Sequence, residues 1–100
     1  MLKEKTRLAI KCPYCKRESD EYNWSLATAA RYSIGEDTCP VLIQVLLAYI
    51  NGNGDMFDGY RLVCPKCYHG VDFTELSPPP KQEIEEYAAK AGEEYCNMWL

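Results

Sequence analysis

The sequence predicts an α+β fold, and three observations carry the prediction. Two matched Cys-Pro-x-Cys turns, at Cys12 and Cys15 and at Cys64 and Cys67, each follow a short segment of alternating polarity. Between them lie an amphipathic stretch and an almost wholly apolar one, both long enough for helices. A second amphipathic stretch closes the chain after Pro78-Pro79-Pro80. At 100 residues the chain is expected to form a single domain over 1–100, burying about two-thirds of the surface its unfolded form exposes.

Residues 7–11 alternate around Leu8 and Ile10 and predict a short strand leading into Cys12. The polar run 16–20 follows. From Glu21 to Ser33 the spacing is helical, with Asp20 as N-cap, Gly35 as stop, and Tyr22, Leu26, Ala29, Ala30 and Ser33 on the expected buried face. Asp37-Thr38-Cys39-Pro40 resembles a second helix start. Residues 41–50 are apolar at nine of ten positions. Val41, Ile43, Val45 and Ile50 would suit a strand, but the proline start and the Asn51-Gly52 stop favour a buried helix. Residues 51–55 read as a loop, because Asn and Gly accept positive φ cheaply. Residues 60–63 and 71–76 alternate as strands around the second cysteine turn. A last helix spans 81–99, with Ile84, Tyr87, Ala88, Ala91, Tyr95, Met98 and Trp99 on one stripe.

Six cysteines in 100 residues need an explanation. The start of the chain shows basic residues but no apolar core of a secretory signal, and the longest apolar stretch is too short to span a bilayer. A cytoplasmic protein with reduced thiols on a metal is therefore expected. A Cys-x-x-Cys turn brings both sulfurs to one side of a bend, and two such turns supply four thiolates to one tetrahedral ion. Cys12, Cys15, Cys64 and Cys67 are the expected metal ligands.

These two turns beside short strands resemble the knuckles of a zinc ribbon, over residues 7–17 and 60–76. The resemblance implies one Zn²⁺ clamped between two β-hairpins, with a helical insertion over 20–51. Many ribbons place glycine after the second cysteine of each knuckle, where this chain has Lys16 and Tyr68. The 48 residues between the pairs also exceed the usual ribbon gap. A structural ion of this kind would supply on the order of 10 kcal/mol of folding free energy.

The same cysteines admit other readings. Rubredoxins share paired Cys-x-x-Cys knuckles, and soft thiolates also suit iron. Cys12-Pro13-Tyr14-Cys15 taken alone resembles the dithiol motif of glutaredoxins, which needs its nucleophile at a helix N-terminus. No amphipathic helical pattern follows it directly. His69 could replace a thiolate, but four cysteines leave it no vacancy. Cys39 and Cys96 are expected to be small buried hydrophobes.

Charge divides the chain. Residues 1–20 hold six basic and three acidic side chains, whereas 21–60 hold one and five, and 81–100 two and five. The net −4 argues against a general phosphate binder. The carboxylates of 81–100 read as a solvated helix face, without a second wall for paired-carboxylate catalysis. A four-thiolate site leaves no position for water, so no enzymatic activity is expected at the metal. The expected function is a zinc-stabilised protein-binding module, an adaptor or regulator that docks through apolar helices. Its partner is another protein or a second copy of this chain, and no membrane. A nucleic-acid-binding ribbon using Lys3, Lys5, Arg7, Lys11, Lys16 and Arg17 is the alternative, and a redox protein the second alternative.

Overall fold

Two antiparallel hairpins carry the cysteine turns, in a computed structural model that describes residues 8–57 and 59–100. Strand β1 (Ala9–Lys11) pairs with β2 (Glu18–Asp20), setting Ile10 opposite Ser19. Strand β3 (Arg61–Val63) pairs with β4 (Gly70–Asp72), setting Leu62 opposite Val71. The fold is thus α+β, with two small hairpins and four α-helices among the described residues.

Strand β2 has no apolar residue and no sequence signal. It forms because the cysteine turn folds the chain back on β1: the Cys12 amide donates to Arg17 O at 3.0 Å, and the Lys16 amide to Cys12 O at 3.0 Å. Strand β4 is shorter than its alternation predicted. The Asp72 side chain accepts from the Thr74 amide while Glu75 Oε1 accepts from the Asp72 amide at 3.0 Å, which winds Phe73–Glu75 into a 3₁₀ turn.

Helix α1 (Glu21–Tyr32) starts as predicted, its Asp20 cap accepting from the Asn23 amide at 3.0 Å. Its expected buried face is overturned. Tyr22 and Leu26 are 44% and 41% exposed, whereas Glu21, Trp24, Ser25 and Thr28 are buried. This polar face is inward because each of its groups meets a partner. Trp24 Nε1 donates to Ile10 O of β1 at 3.0 Å, and Thr28 Oγ1 accepts from the Val63 amide of β3 at 3.0 Å. Helix α1 therefore straps both hairpins together through hydrogen bonds that hydrophobic periodicity cannot detect.

The apolar stretch is a helix, α2 (Leu42–Ile50), ending at Asn51 as expected. Its start is not at 37–40. Pro40 instead pairs with Trp99 as an antiparallel bridge, flanked by bonds from Val41 N to Met98 O (3.2 Å) and Leu100 N to Cys39 O (2.8 Å). The helix has no side-chain cap of its own. Two residues of α1 supply it: Ser25 Oγ accepts from the Leu42 amide at 2.8 Å and Glu21 Oε2 from the Ile43 amide at 2.7 Å. A carboxylate at a helix N-terminus satisfies free amides and complements the helix dipole.

The predicted single helix over 81–99 is also corrected. It is α3 (Lys81–Ala91) and α4 (Glu93–Cys96), broken at Gly92, whose φ of 95° no helix accommodates. Met98 and Trp99 fall beyond α4 and are exposed. Ile84 and Tyr87 are buried and join one core with Leu8, Ile10, Trp24, Leu42, Ile43, Leu46, Leu62 and Val71. Leu42, Ile43, Val45 and Leu46 of α2 are all buried within the chain. No helix among the described residues is long and apolar enough to cross a membrane.

Candidate metal centre

Each hairpin turns at a Cys-Pro-x-Cys sequence, and the packing of α1 across both hairpins brings the two turns face to face. Cys12, Cys15, Cys64 and Cys67, the four residues singled out by their spacing, place their sulfurs within 4.8 Å of one another. Cys12 Sγ lies 3.8 Å from Cys67 Sγ, and Cys15 Sγ lies 3.7 Å from Cys64 Sγ. A tetrahedral ion with metal–sulfur bonds of about 2.3 Å requires sulfurs about 3.8 Å apart. Both of these pairs cross between the knuckles and already have that spacing. The donor set fits a soft divalent ion, and zinc and iron both suit four thiolates.

The two knuckles repeat the same local geometry. Lys16 and Tyr68, standing where many ribbons have glycine, adopt φ of 65° and 59°. Left-handed backbone at a non-glycine residue costs about 1–2 kcal/mol, so the closure of the turns overrides the preference of the side chains. Each turn also aims amides at the sulfur of its first cysteine. Cys12 Sγ accepts from the Tyr14 and Cys15 amides at 3.3 and 3.4 Å. Cys64 Sγ accepts from the Lys66 and Cys67 amides at 3.3 and 3.4 Å. The missing glycines thus remove neither a ligand nor its supporting hydrogen bonds.

The electrostatics of the four thiols differ with their surroundings. The Arg17 amide holds the Cys15 thiol down to about 7, and burial pushes the Cys64 thiol up to about 12. Cys12 and Cys64 are buried, Cys15 is half-buried and Cys67 is exposed. All six cysteines are free thiols.

His69 is not drawn into the cluster. Its ring lies 3.9 Å from that of Tyr14, across the two knuckles, and Tyr14 Oη donates to Glu75 Oε2 at 2.6 Å. The clasp of Tyr14, His69 and Glu75 was invisible in the sequence, since their positions are far apart and no spacing rule links them. Cys96 is buried as expected, with its sulfur 3.6 Å from Ala88 O and its thiol pKa raised by burial. Cys39 is half-buried and away from the cluster. A turn and strand β2 follow Cys15, so no helix begins at the first cysteine pair. The basic positions Lys3, Lys5 and Arg7 lie outside the described residues, while Lys11, Lys16 and Arg17 are exposed beside the first knuckle.

No family model, curated protein or solved structure matches this chain.

Proposed function

We propose that this protein is a non-enzymatic, zinc-stabilised binding module, acting as an adaptor or regulator that docks on another protein. The observation that carries the reading is the four-sulfur cluster with its cross-knuckle spacing of 3.7 and 3.8 Å. Four thiolates complete a tetrahedral shell, so the ion has a folding role and no open position for substrate or water. Cys12, Cys15, Cys64 and Cys67 would hold it, and the ion would clamp the two hairpins beneath α1.

Function then resides on the surface. A groove of about 410 Å³ runs between α2 and the C-terminal helices, lined by Leu47, Ala48, Met56, Phe57, Ala88 and Cys96. Met56 and Trp99 are exposed at its side, and Trp99 lies against Phe57 at 6.4 Å between ring centroids. Exposed aromatics and methionine are enriched where proteins meet. Glu93, on the same wall, favours a partner with basic residues at its rim.

The test couples metal content to binding. One zinc per chain is expected by elemental analysis, without the visible absorption of an iron–thiolate centre. A strong chelator should collapse the thermal transition. Met56→Asp and Trp99→Asp should retain zinc and fold yet lose the protein that the wild-type chain captures from its native host. Absence of bound metal, or a melt indifferent to chelation, would overturn the metal reading. Unchanged capture by both variants would overturn the docking face.

The runner-up is nucleic-acid binding, favoured by the exposed Lys11, Lys16, Arg17 and Lys66 around Tyr14 and Tyr68. A gel shift that weakens steeply with salt would select it.

A further inference from the structure

We propose that the cysteine cluster is a peroxide-reactive site in which Cys67 is oxidised first and Cys12 resolves it, replacing the ion clamp by a disulfide between the knuckles. The inference rests on the metal reading above and adds an order of reaction to it. Two observations support that order. The four cysteines are unequally exposed: Cys12 and Cys64 are buried, Cys15 is half-buried, and of the four only Cys67 is exposed. The knuckle amides are also unequally shared, two falling on Cys12 and two on Cys64, with the Arg17 amide serving Cys15. Cys67 carries none of these amide bonds, and its sulfur lies 3.8 Å from that of Cys12.

A hydrogen-bonded thiolate has its lone pairs engaged and is the weaker nucleophile, and a buried one is closed to a diffusing oxidant. Cys67 combines exposure with freedom from the knuckle amides that fall on Cys12 and Cys64. Hydrogen peroxide is the oxidant. The Cys67 thiolate attacks one peroxide oxygen, an S–O bond forms, the O–O bond breaks, and hydroxide leaves. The Cys12 thiolate then attacks the Cys67 sulfenic sulfur, an S–S bond forms and a second hydroxide leaves. Two thiolates are oxidised by two electrons, one peroxide is reduced, and two protons from solvent convert both hydroxides to water.

The pairing matters for the outcome. A disulfide within one knuckle would leave the two hairpins unjoined once the ion had lost two ligands. The bond from Cys12 to Cys67 links β1 to the β3–β4 turn across 55 positions of sequence. Cys15 and Cys64, at 3.7 Å, stand ready as a second pair for a second peroxide. The site would exchange one kind of clamp for another, and a thiol reductant with added zinc would reverse the exchange.

The experiment uses the wild-type chain, with zinc content measured first. Hydrogen peroxide is added in steps while a chromogenic chelator reports released zinc. Samples are quenched with an alkylating agent, and disulfides are mapped by peptide mass spectrometry. Complete release of one zinc per chain is expected, with Cys12–Cys67 as the first disulfide and Cys15–Cys64 following. Brief alkylation without peroxide should label Cys67 at least tenfold ahead of Cys12 and Cys64. A first disulfide within either knuckle, first oxidation at Cys15, or no release in excess peroxide would each overturn the proposal. A chain purified without metal would instead refute the metal reading. The disulfide map of that metal-free chain would still decide the pairing.

Discussion

Glu21→Gln tests whether the buried carboxylate of α1 organises the helices around the hairpins. Glu21 is fully buried and receives four hydrogen bonds. Its Oε2 accepts from Ile43 N at 2.7 Å and Ser25 Oγ at 2.9 Å. Its Oε1 accepts from Tyr87 Oη at 2.7 Å and Tyr95 Oη at 2.6 Å. One side chain thus binds the N-terminus of α2 to α3 and α4. Glutamine preserves shape. Its oxygen must face the Ile43 amide, which can only donate, so its NH₂ must face the two tyrosines, whose hydroxyls can rotate to accept.

What glutamine removes is charge. Bonds to a charged acceptor contribute about 1.5–3 kcal/mol and neutral ones about 0.5–1.5 kcal/mol. Across four bonds, with relief of carboxylate desolvation offsetting part of the loss, the expected cost is about 2 kcal/mol. For a chain of this size that lowers the melting temperature by about 8–16 °C. Glu21→Ala should cost about 4 kcal/mol or more, since the Ile43 amide and both tyrosine hydroxyls lose their buried acceptor and a cavity opens. Urea unfolding of the zinc-saturated protein, followed by far-ultraviolet circular dichroism, reads both values. A glutamine variant as stable as wild type, or an alanine variant no worse than glutamine, would refute the reasoning.

Two further outcomes follow from the same geometry. Burial raises Tyr60, Tyr87 and Tyr95 above the ordinary tyrosine value of 10.0, with Glu21 adding to the rise at all three. Their unfolded counterparts ionise first, so this stability is complete below pH 10 and falls above it by about 1.4 kcal/mol per pH unit for each tyrosine. Tyrosinate absorbance should therefore rise for these residues together with cooperative alkaline unfolding; smooth titration of all tyrosines in the folded state would contradict it. Tyr68→Gly should raise the melting temperature by a few degrees. It removes a left-handed penalty of about 1–2 kcal/mol at the cost of about 0.5–1 kcal/mol of glycine entropy. A lower melting temperature would show that the exposed Tyr68 ring contributes more than its backbone strain costs.

Much of the candidate site was legible without coordinates. A Cys-x-x-Cys turn is local, its sulfurs converge whatever surrounds them, and two turns point to one another chemically. Lys16 and Tyr68 looked like departures from the ribbon pattern, yet their backbone adopts the left-handed conformation the turn demands. Helix α1 shows the opposite case. Apolar periodicity selected Tyr22 and Leu26 as its buried face, while the structure buries Glu21, Ser25 and Thr28. Polar groups become interior only where partners from distant segments satisfy them, and periodicity records hydrophobicity alone. Helices α3 and α4 failed at Gly92 for a related reason, because an apolar stripe can continue in sequence across a break in the backbone.

The sequence by itself determined the α+β class, the cysteine turns and the four candidate sulfurs, and it leaned toward a helix over 41–50. Each depends on neighbours within a few residues: turn closure, stop signals and helical spacing. Only the tertiary structure decided which face of α1 is buried, how α2 is capped, and that the sulfurs pair across the knuckles. Those features arise from contacts between segments distant in sequence, such as Glu21 with Tyr95 and Cys12 with Cys67. Local chemistry offers each group several partners, and the geometry of the packed chain leaves one.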